Sequence, residues 1–218
     1  MKQIILKLLT RKAKRFLARY RPRIVAITGS VGKTSTRNAI VALLGGRFHV
    51  GTTIENYNNE FGVPFTILGV RSPGSSVFGW LRLLCLPSTF YHRPPPNLLI
   101  LELGVDRPGD MDKLLDLVHP EVAVFTTVTP VHVENFHSLD ELVNEKAKLI
   151  ESVPADGLVV LNADDAIVSG LRDRVKAKVV TYGFDADAKV RATDFTLVTR
   201  DDFSFESGET FSQVTTTV

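Results

Sequence analysis

A glycine-containing loop between an apolar strand and a helix-forming stretch is the first place where this chain could do chemistry. Residues 24–36 read IVAITGSVGKTST. In this order the loop N–H groups and the helix N-terminus face an anion, Lys33 adds a mobile positive charge, and the Thr34 hydroxyl can hold Mg²⁺. The segment therefore predicts binding of a nucleoside triphosphate. The residues expected around its phosphates are Gly29, Ser30, Val31, Gly32, Lys33, Thr34 and Ser35.

The loop is shorter than the general phosphate-binding loop, which reads G-x-x-x-x-G-K-[ST]. Ile27 stands where the first glycine is expected, and Gly29 opens a loop with two residues fewer. Gly-x-x-Gly-Lys-Thr alone is a weak pattern, but the strand before it and the helix after it strengthen the prediction. The alternative is a glycine-rich turn with a surface lysine, although a turn does not require Lys-Thr-Ser-Thr after its glycine.

Polar residues also follow three other predicted strands. Glu102 lies near the end of the apolar run 98–103, while residues 129–132 and 162–165 follow the next two runs. Ligands of open parallel sheets bind outside the carboxyl ends of the strands. A carboxylate there suits Mg²⁺, so we expect Glu102 to bind it directly or through water, and His132 to be a second cation ligand. The alternatives are a helix-capping carboxylate and a loop histidine satisfied by hydrogen bonds.

One lysine falls on an apolar helix face. Residues 138–141 read SLDE, a capping box that predicts a helix starting near Leu139. Lys146 lies in the middle of the apolar face of that helix, whereas Lys148 points away from it. Burial lowers the pKa of a lysine, and a neutral amine can react with CO₂ to form a carbamate that binds metal. The alternative is a lysine at the edge of the face that extends its ammonium to solvent. Spacing alone does not favour one of these two interpretations over the other.

The elements that must position these residues alternate along the chain. Continuous apolar runs separated by helices predict an α/β fold with a mostly parallel sheet and helices on both faces. We interpret 71–96 as a surface insertion with a short helix, and 189–199 with 203–211 as a C-terminal antiparallel hairpin. The predicted strands are 24–28, 98–103, 122–128, 158–161 and 179–182, and the predicted helices are 34–44, 110–118, 138–152 and 164–175.

The composition is typical of a globular protein: of the 218 residues, 44% are hydrophobic and 23% are charged. The single cysteine, Cys85, excludes an intrachain disulfide; it fits a reducing, cytoplasmic location and is expected to be buried. Nine of the 26 Lys and Arg residues lie in residues 1–23, which hold no acid. The apolar runs of this basic amphipathic arm are too short to span a membrane. A helix packed on the domain is preferred over weak contact with a membrane surface, and nothing supports nucleic-acid binding.

Taken together, these motifs resemble the Mur ligase family, the ATP-dependent ligases of peptidoglycan precursor synthesis. The resemblance covers about residues 24–215, and the order and spacing of the motifs agree with the family. The segments that carry it are TGSVGKTST at 28–36, NYNNEFGVP at 56–64, LELGVDRPGD at 101–110, TPVH at 129–132 with Lys146, and NADD at 162–165.

The resemblance implies roles at the phosphates and metals. Lys33 and the loop amides would hold the phosphates of ATP, and Thr34 would bind one Mg²⁺. Glu102 and His132 would serve the metal sites. Lys146 would be the carbamylated lysine of the family. The catalytic set would consist of Lys33, Glu102, His132 and Lys146.

The resemblance also implies substrates and a reaction. Asn59 would approach the γ-phosphate or acyl-phosphate side, and Asn162 and Asp165 would lie near the adenosine part. ATP and a carboxylate would form an acyl phosphate, from which an amine displaces phosphate to give an amide. For a full-length protein the expected substrates are a UDP-muramoyl-peptide and a dipeptide amine, and this chain alone is expected to be incomplete for the full ligation. The alternatives are a folylpolyglutamate- or cyanophycin-synthetase-like ligase, or a nucleotide-switched binding module.

Family members carry a UDP-sugar domain before this region and a ligase domain after it. We expect residues 1–23 to be an arm and 24–218 to be a central ATP-binding domain, truncated at its C-terminus. The sequence would then be a fragment of a longer product, or a short form whose partner domains act in trans.

Overall fold

The structure is a computed structural model that describes residues 2–53, 57–86, 94–129, 135–193, 196–198 and 213–215. The helices are α1 Lys2–Tyr20, α2 Lys33–Leu44, α3 Gly62–Leu68, α4 Val77–Cys85, α5 Asp110–Leu115, α6 Leu139–Glu151 and α7 Ala166–Ser169, with a short 3₁₀ helix at Arg172–Arg174. The strands are β1 Arg23–Thr28, β2 Val50–Thr52, β3 Leu98–Glu102, β4 Val122–Phe125, β5 Leu158–Asn162, β6 Lys178–Gly183, β7 Val190–Arg191, β8 Thr196–Val198 and β9 Gln213–Thr215.

Seven strands form one parallel sheet in the order β2-β3-β1-β4-β5-β6-β7, which confirms the predicted α/β class. Strand β1 lies between β3 and β4, and Ile27 is in register with Glu102 on one side and Val124 on the other. The carboxyl ends of β3, β1, β4 and β5 therefore meet at one edge of the sheet. The polar segments predicted to act together follow these four strands.

Alternate residues of the central strands pack on opposite faces of the sheet. Ala26 of β1 belongs to the larger core cluster, to which α1, α3, α5 and α6 contribute. Val25 and Ile27 belong to the smaller cluster, against which Ile40 and Val41 of α2 pack. Helices cover both faces, as the continuous apolar strands predict.

Helix α1 is part of the domain. Leu9, Ala13 and Phe16 are fully buried in the larger cluster, at the i, i+4 and i+7 spacing of one helix face. The packed helix that the sequence favoured is the arrangement observed. No helix among the described residues is long and apolar enough to cross a membrane.

Several predicted elements are shorter in the structure. Helix α5 ends at Leu115, short of the predicted residue 118, and the chain continues in a turn in which Leu117 N and Val118 N both donate to Leu114 O. The helix predicted over 164–175 begins only after its cap Asp165 and ends at Ser169. Strand β4 ends at Phe125; Thr126 N still pairs with Thr28 O of β1, while Thr126 Oγ1 and Thr127 O bond to the glycine loop.

The C-terminal region differs from the prediction. β7, inside the predicted first hairpin strand, extends the main sheet in parallel, while β8 pairs antiparallel with β9. The predicted second strand, 203–211, lies outside the described residues, so that hairpin stays a prediction. The expectation for Cys85 was wrong: it is exposed, because it lies on the outward side of α4.

Candidate nucleotide-binding site

Two glycines shape the loop between β1 and α2. Gly29 has a φ of 143°, and a Cβ there would lie 2.0 Å from Thr126 Oγ1. Gly32 has a φ of 85° and caps α2 in the left-handed conformation. Side chains rarely adopt these backbone angles, so both positions require glycine. Thr34 and Ser35 follow in the first turn of α2, whose free N–H groups suit an anion.

The residues that follow β4 hold the loop in place. Ser30 N donates to Thr127 O at 2.7 Å, and Ser30 Oγ accepts from Thr129 N at 3.1 Å. Thr126 Oγ1 donates to Val31 O at 2.6 Å. The loop is thereby fixed before it meets a ligand, which lowers the entropy cost of binding. Sequence reasoning did not assign Thr126 a role, since a threonine near a strand end is common.

Lys33 folds back over the loop. Its Nζ donates to Gly29 O at 2.7 Å and to Ser30 O at 3.1 Å. Burial lowers the pKa of Lys33, while the charges of Glu102 and Asp106 raise it in part. The ammonium therefore lies within the loop that is predicted to hold the phosphates.

Glu102 ends β3 beside the loop and is buried. Thr34 Oγ1 donates to Glu102 Oε2 at 3.1 Å, and Arg37 Nη1 lies 2.8 Å from Glu102 Oε1. Oε1 is buried with no hydrogen-bond partner among the described residues, so the Arg37 contact is a charge pair without hydrogen-bond alignment. Arg37 lies one turn after Thr34 on α2. Sequence reasoning missed it, although the i+3 spacing from Thr34 was visible.

Lys146 reaches the same loop from α6. It is 4% exposed, and its Nζ donates to Gly29 O at 3.3 Å. Burial and the nearby Lys33 lower the pKa of Lys146 to about 8, against a smaller opposite effect of Asp106. Lys148 points away and pairs with Asp112 and Glu145, as its helical position predicts. Lys146 is thus a buried lysine with a lowered pKa, as its place on the apolar face predicts.

The remaining predicted residues are less close to the loop. Asp165 Oδ2 accepts from Val128 N at 2.8 Å, and Oδ1 accepts from the N–H groups of Ile167 and Val168, so this carboxylate joins β4 to α7. Asn162 Oδ1 accepts from Asp164 N at 3.0 Å. The structure therefore shows Asn162 in a local turn contact, and Asp165 both capping α7 and holding the segment after β4. His132 lies outside the described residues.

A cleft of about 610 Å³ opens beside Asp106, whose charge acts on both Lys33 and Lys146. Asn59 lines this cleft, and its Oδ1 accepts from the N–H groups of Phe61 and Gly62. Asp106 was missed as a site residue, although the motif at 101–110 contains it. The cleft is lined by Asn59, Glu60, Phe61, Gly104, Asp106, Arg107, Asp110, Lys113 and Asn135.

The donors at the loop fit a hard divalent cation. A hydroxyl and a carboxylate oxygen lie together at Thr34 and Glu102, and Glu102 Oε1 is a buried acceptor without a hydrogen-bond partner in the described part of the chain. Residues 2–53, 57–86, 94–129 and 135–193 contain no group of three or more His, Cys, Asp or Glu side chains able to bind a metal by themselves. A bound phosphate would therefore have to supply further ligands.

The parallel sheet, the glycine loop and its lysine define a phosphate-loop nucleotide-binding domain. The sequence profile of the Mur ligase middle domain matches residues 27–78 and 83–217. The chain belongs to the Mur ligase family, as its motifs predict.

Curated relatives bear the name UDP-N-acetylmuramoyl-tripeptide–D-alanyl-D-alanine ligase. The Bacillus subtilis enzyme is 28% identical over 173 residues, which make up 78% of this chain and 32% of that enzyme. The Mycobacterium tuberculosis H37Rv enzyme is 31% identical over 169 residues, 78% of this chain and 29% of that enzyme. The chain thus spans about a third of the length of these relatives.

Solved structures share the fold. The structure of MurF from Thermotoga maritima in complex with ADP matches with a TM-score of 0.69 at 24% identity. The match covers 96% of this chain and 42% of the MurF chain. A complex of FPGS with AMPPCP matches with a TM-score of 0.56 at 18% identity. The match covers 89% of this chain and 52% of the FPGS chain. At these identities the comparison supports the architecture alone.

Proposed function

We propose that this chain is the ATP-binding domain of a peptidoglycan-precursor ligase that joins a carboxylate to an amine through an acyl phosphate. One observation carries the proposal. The shortened loop, Glu102 and Lys146 come from three separate elements and meet around Gly29 and Thr34. Family membership gives this meeting point its meaning, because the family profile spans these residues and the curated relatives are named as ligases.

The loop is proposed to bind the β- and γ-phosphates of ATP. The loop N–H groups and the first turn of α2 would face the phosphates, and Lys33 would exchange the carbonyls of Gly29 and Ser30 for phosphate oxygens. A phosphate is a stronger partner for an ammonium than a neutral carbonyl is. Val31 is proposed to contact the phosphates through its backbone in the loop, and Ser35 through its position in the first turn of α2.

Thr34 and Glu102 are proposed to hold Mg²⁺, with His132 as a ligand of a second cation. The metal would neutralise charge on the transferred phosphoryl group. Glu102 would then pair with the metal instead of with Arg37. Arg37, released from Glu102, would then be able to pair with a phosphate.

Lys146 is proposed to become a carbamate. Its ammonium would first release one proton; the neutral amine would then add to the carbon of CO₂ and release a second proton, so that a cation becomes an anion. That anion would attract Lys33, whereas the ammonium form of Lys146 repels it. The lowered pKa makes the neutral amine available near neutral pH.

The substrate side is proposed to lie at the cleft lined by Asn59 and Arg107. Asp106 connects this cleft electrostatically with Lys33 and Lys146. Asn59 would approach the γ-phosphate, while Asn162 and Asp165 would border the adenosine part, Asp165 by fixing the loop after β4. The family relationship suggests a UDP-muramoyl-peptide as the carboxylate and a dipeptide as the amine.

The division of the chain is part of the proposal. Residues 24–218 would form the central ATP-binding domain, truncated at its C-terminus, and α1, which packs on it, would share its cytoplasmic location. Weak membrane contact through residues 1–23 stays a proposal with one restriction. The apolar face of α1 is buried in the domain, so α1 cannot insert in a bilayer on that face.

Calorimetric titration with ATP and Mg²⁺ tests the proposal. We expect the unchanged protein and Lys178→Ala to bind ATP alike, because Lys178 is exposed at the far end of β6. Lys33→Ala should lose at least about tenfold in affinity, because a charge-assisted phosphate contact contributes more than 1.4 kcal/mol. Equal affinity of the Lys33→Ala and Lys178→Ala proteins would refute it.

A further inference from the structure

The outward side of α4 is apolar. Val77 and Phe78 are 82% and 81% exposed, and Leu81 is 58% exposed. Residues 77, 78 and 81 lie on one side of a helix. Adjacent exposed apolar side chains of this kind mark interaction sites rather than ordinary surface. The proposed nucleotide site uses none of them.

The inward side of α4 is firmly attached to the domain. Leu83 is buried in the larger core cluster, and the ring of Trp80 packs 5.9 Å from that of Phe65. Lys12 of α1 donates to the carbonyls of Leu83 and Leu86 at the end of α4. These contacts fix the helix with its three apolar side chains outward.

Basic residues of α1 flank this surface. Because Lys12 reaches the last turn of α4, the middle of α1 lies beside the end of α4. The exposed positions of α1 include Ile4 and Leu8, followed one and two turns later by Arg11 and Arg15. Helix α1 contains no acidic residue.

We propose that α4 and the outward side of α1 form a docking surface for an anionic lipid bilayer. Val77, Phe78 and Leu81 would enter the boundary between headgroups and acyl chains, while the α1 cations contact lipid phosphates. Apolar side chains next to Lys and Arg are the composition of interfacial helices. Each cation near an anionic surface adds to the attraction.

Charge favours a bilayer over a second copy of the chain. A two-fold interface brings the same patch of both copies together. Here it would bring the α1 cations of both copies together, and these like charges would repel, except at Lys14, which already pairs with Asp116. An anionic surface meets the same cations with the opposite sign.

Co-sedimentation with vesicles tests the proposal, using phosphatidylcholine vesicles with and without phosphatidylglycerol at low salt. We expect binding only to the vesicles that contain phosphatidylglycerol. Leu81→Glu should lower the partition coefficient roughly tenfold or more, because an apolar side chain no longer enters the boundary. Leu43→Glu is the matched control, since Leu43 is 79% exposed on α2, on the other face of the sheet.

A second pair of variants tests the charge contribution. Arg11→Gln combined with Arg15→Gln should weaken binding roughly tenfold at low salt, whereas Lys176→Gln with Lys178→Gln should not. Circular dichroism checks that all variants are folded.

Three results would overturn the proposal: no binding to either vesicle, equal loss in the Leu43 and Leu81 variants, or a dimer in light scattering that Leu81→Glu dissociates. No nucleotide enters these assays, so their failure leaves the ATP proposal untouched.

Discussion

At the scale of single residues, the pairing of Arg37 with Glu102 stands out because both side chains are nearly buried, 11% and 5% exposed. A buried carboxylate needs a counter-charge. In this structure Arg37 supplies it, and in the proposed mechanism Mg²⁺ takes over. The two cations therefore compete for one carboxylate.

This competition predicts the behaviour of Arg37→Ala. Within the described part of the chain, removing Arg37 leaves the buried Glu102 with only the charge of Lys33 and the hydrogen bond from Thr34, and we expect a loss of about 3 kcal/mol in unfolding free energy. Mg²⁺ should restore more stability in this variant than in the unchanged protein, because it neutralises the same carboxylate. Urea unfolding with and without Mg²⁺ measures both. Arg47→Ala, at an exposed position after α2, is the control; an equal Mg²⁺ effect in all three proteins would contradict the competition.

Lys146 predicts a pH dependence of stability. Its pKa is about 8 in the folded protein against 10.5 as the ordinary value, so the unfolded chain binds its proton more tightly. The charged lysine therefore costs stability below pH 8, by about 3 kcal/mol at most. This cost disappears as the pH rises from about 8 to 10.5.

Lys146→Met should accordingly stabilise the protein near pH 7 and lose that advantage near pH 10. Urea unfolding in CO₂-free buffer at both pH values measures the difference. Lys176→Met, at an exposed lysine, should show no such trend. A constant stabilisation across the pH range would mean that titration of Lys146 is not its cause.

At the scale of elements, the sequence predicted strands more reliably than helix ends. Continuous apolar runs such as 98–103 become buried strands because both faces of the sheet are covered. The late start of α7 and the contacts made after β4 involve tertiary contacts of Asp165 and Thr126, which no local pattern contains. The Arg37 pairing was missed for the same reason.

Helix α1 shows how a charge pattern can conceal a core element. Phe16 is fully buried, so Phe16→Ala should cost about 3–5 kcal/mol of unfolding free energy. Ile4→Ala removes an exposed side chain from the same helix and should change stability little. Thermal or urea unfolding distinguishes them. Similar small effects of both substitutions would mean that α1 is an arm, separate from the folded domain.

At the scale of the whole molecule, the parallel order β3-β1-β4-β5 brings the motifs together. The polar residues at the ends of the predicted parallel strands indicated this edge of the sheet from sequence alone. The outward surface of α4 was not predicted, because exposure of an apolar helix depends on how it is seated. The nucleotide edge and the α4 surface belong to different elements, so we expect each to be altered by mutation without loss of the other.

Hydrogen exchange with and without ATP and Mg²⁺ tests the central claim most directly, because it locates the bound phosphates on the chain. We predict slowed exchange of the loop amides at 29–35, together with the residues after β3 and β4 that contact them. Lys33→Ala should abolish this protection. Protection that spares 29–35, or that persists in Lys33→Ala, would contradict the assignment of this loop as the ATP site.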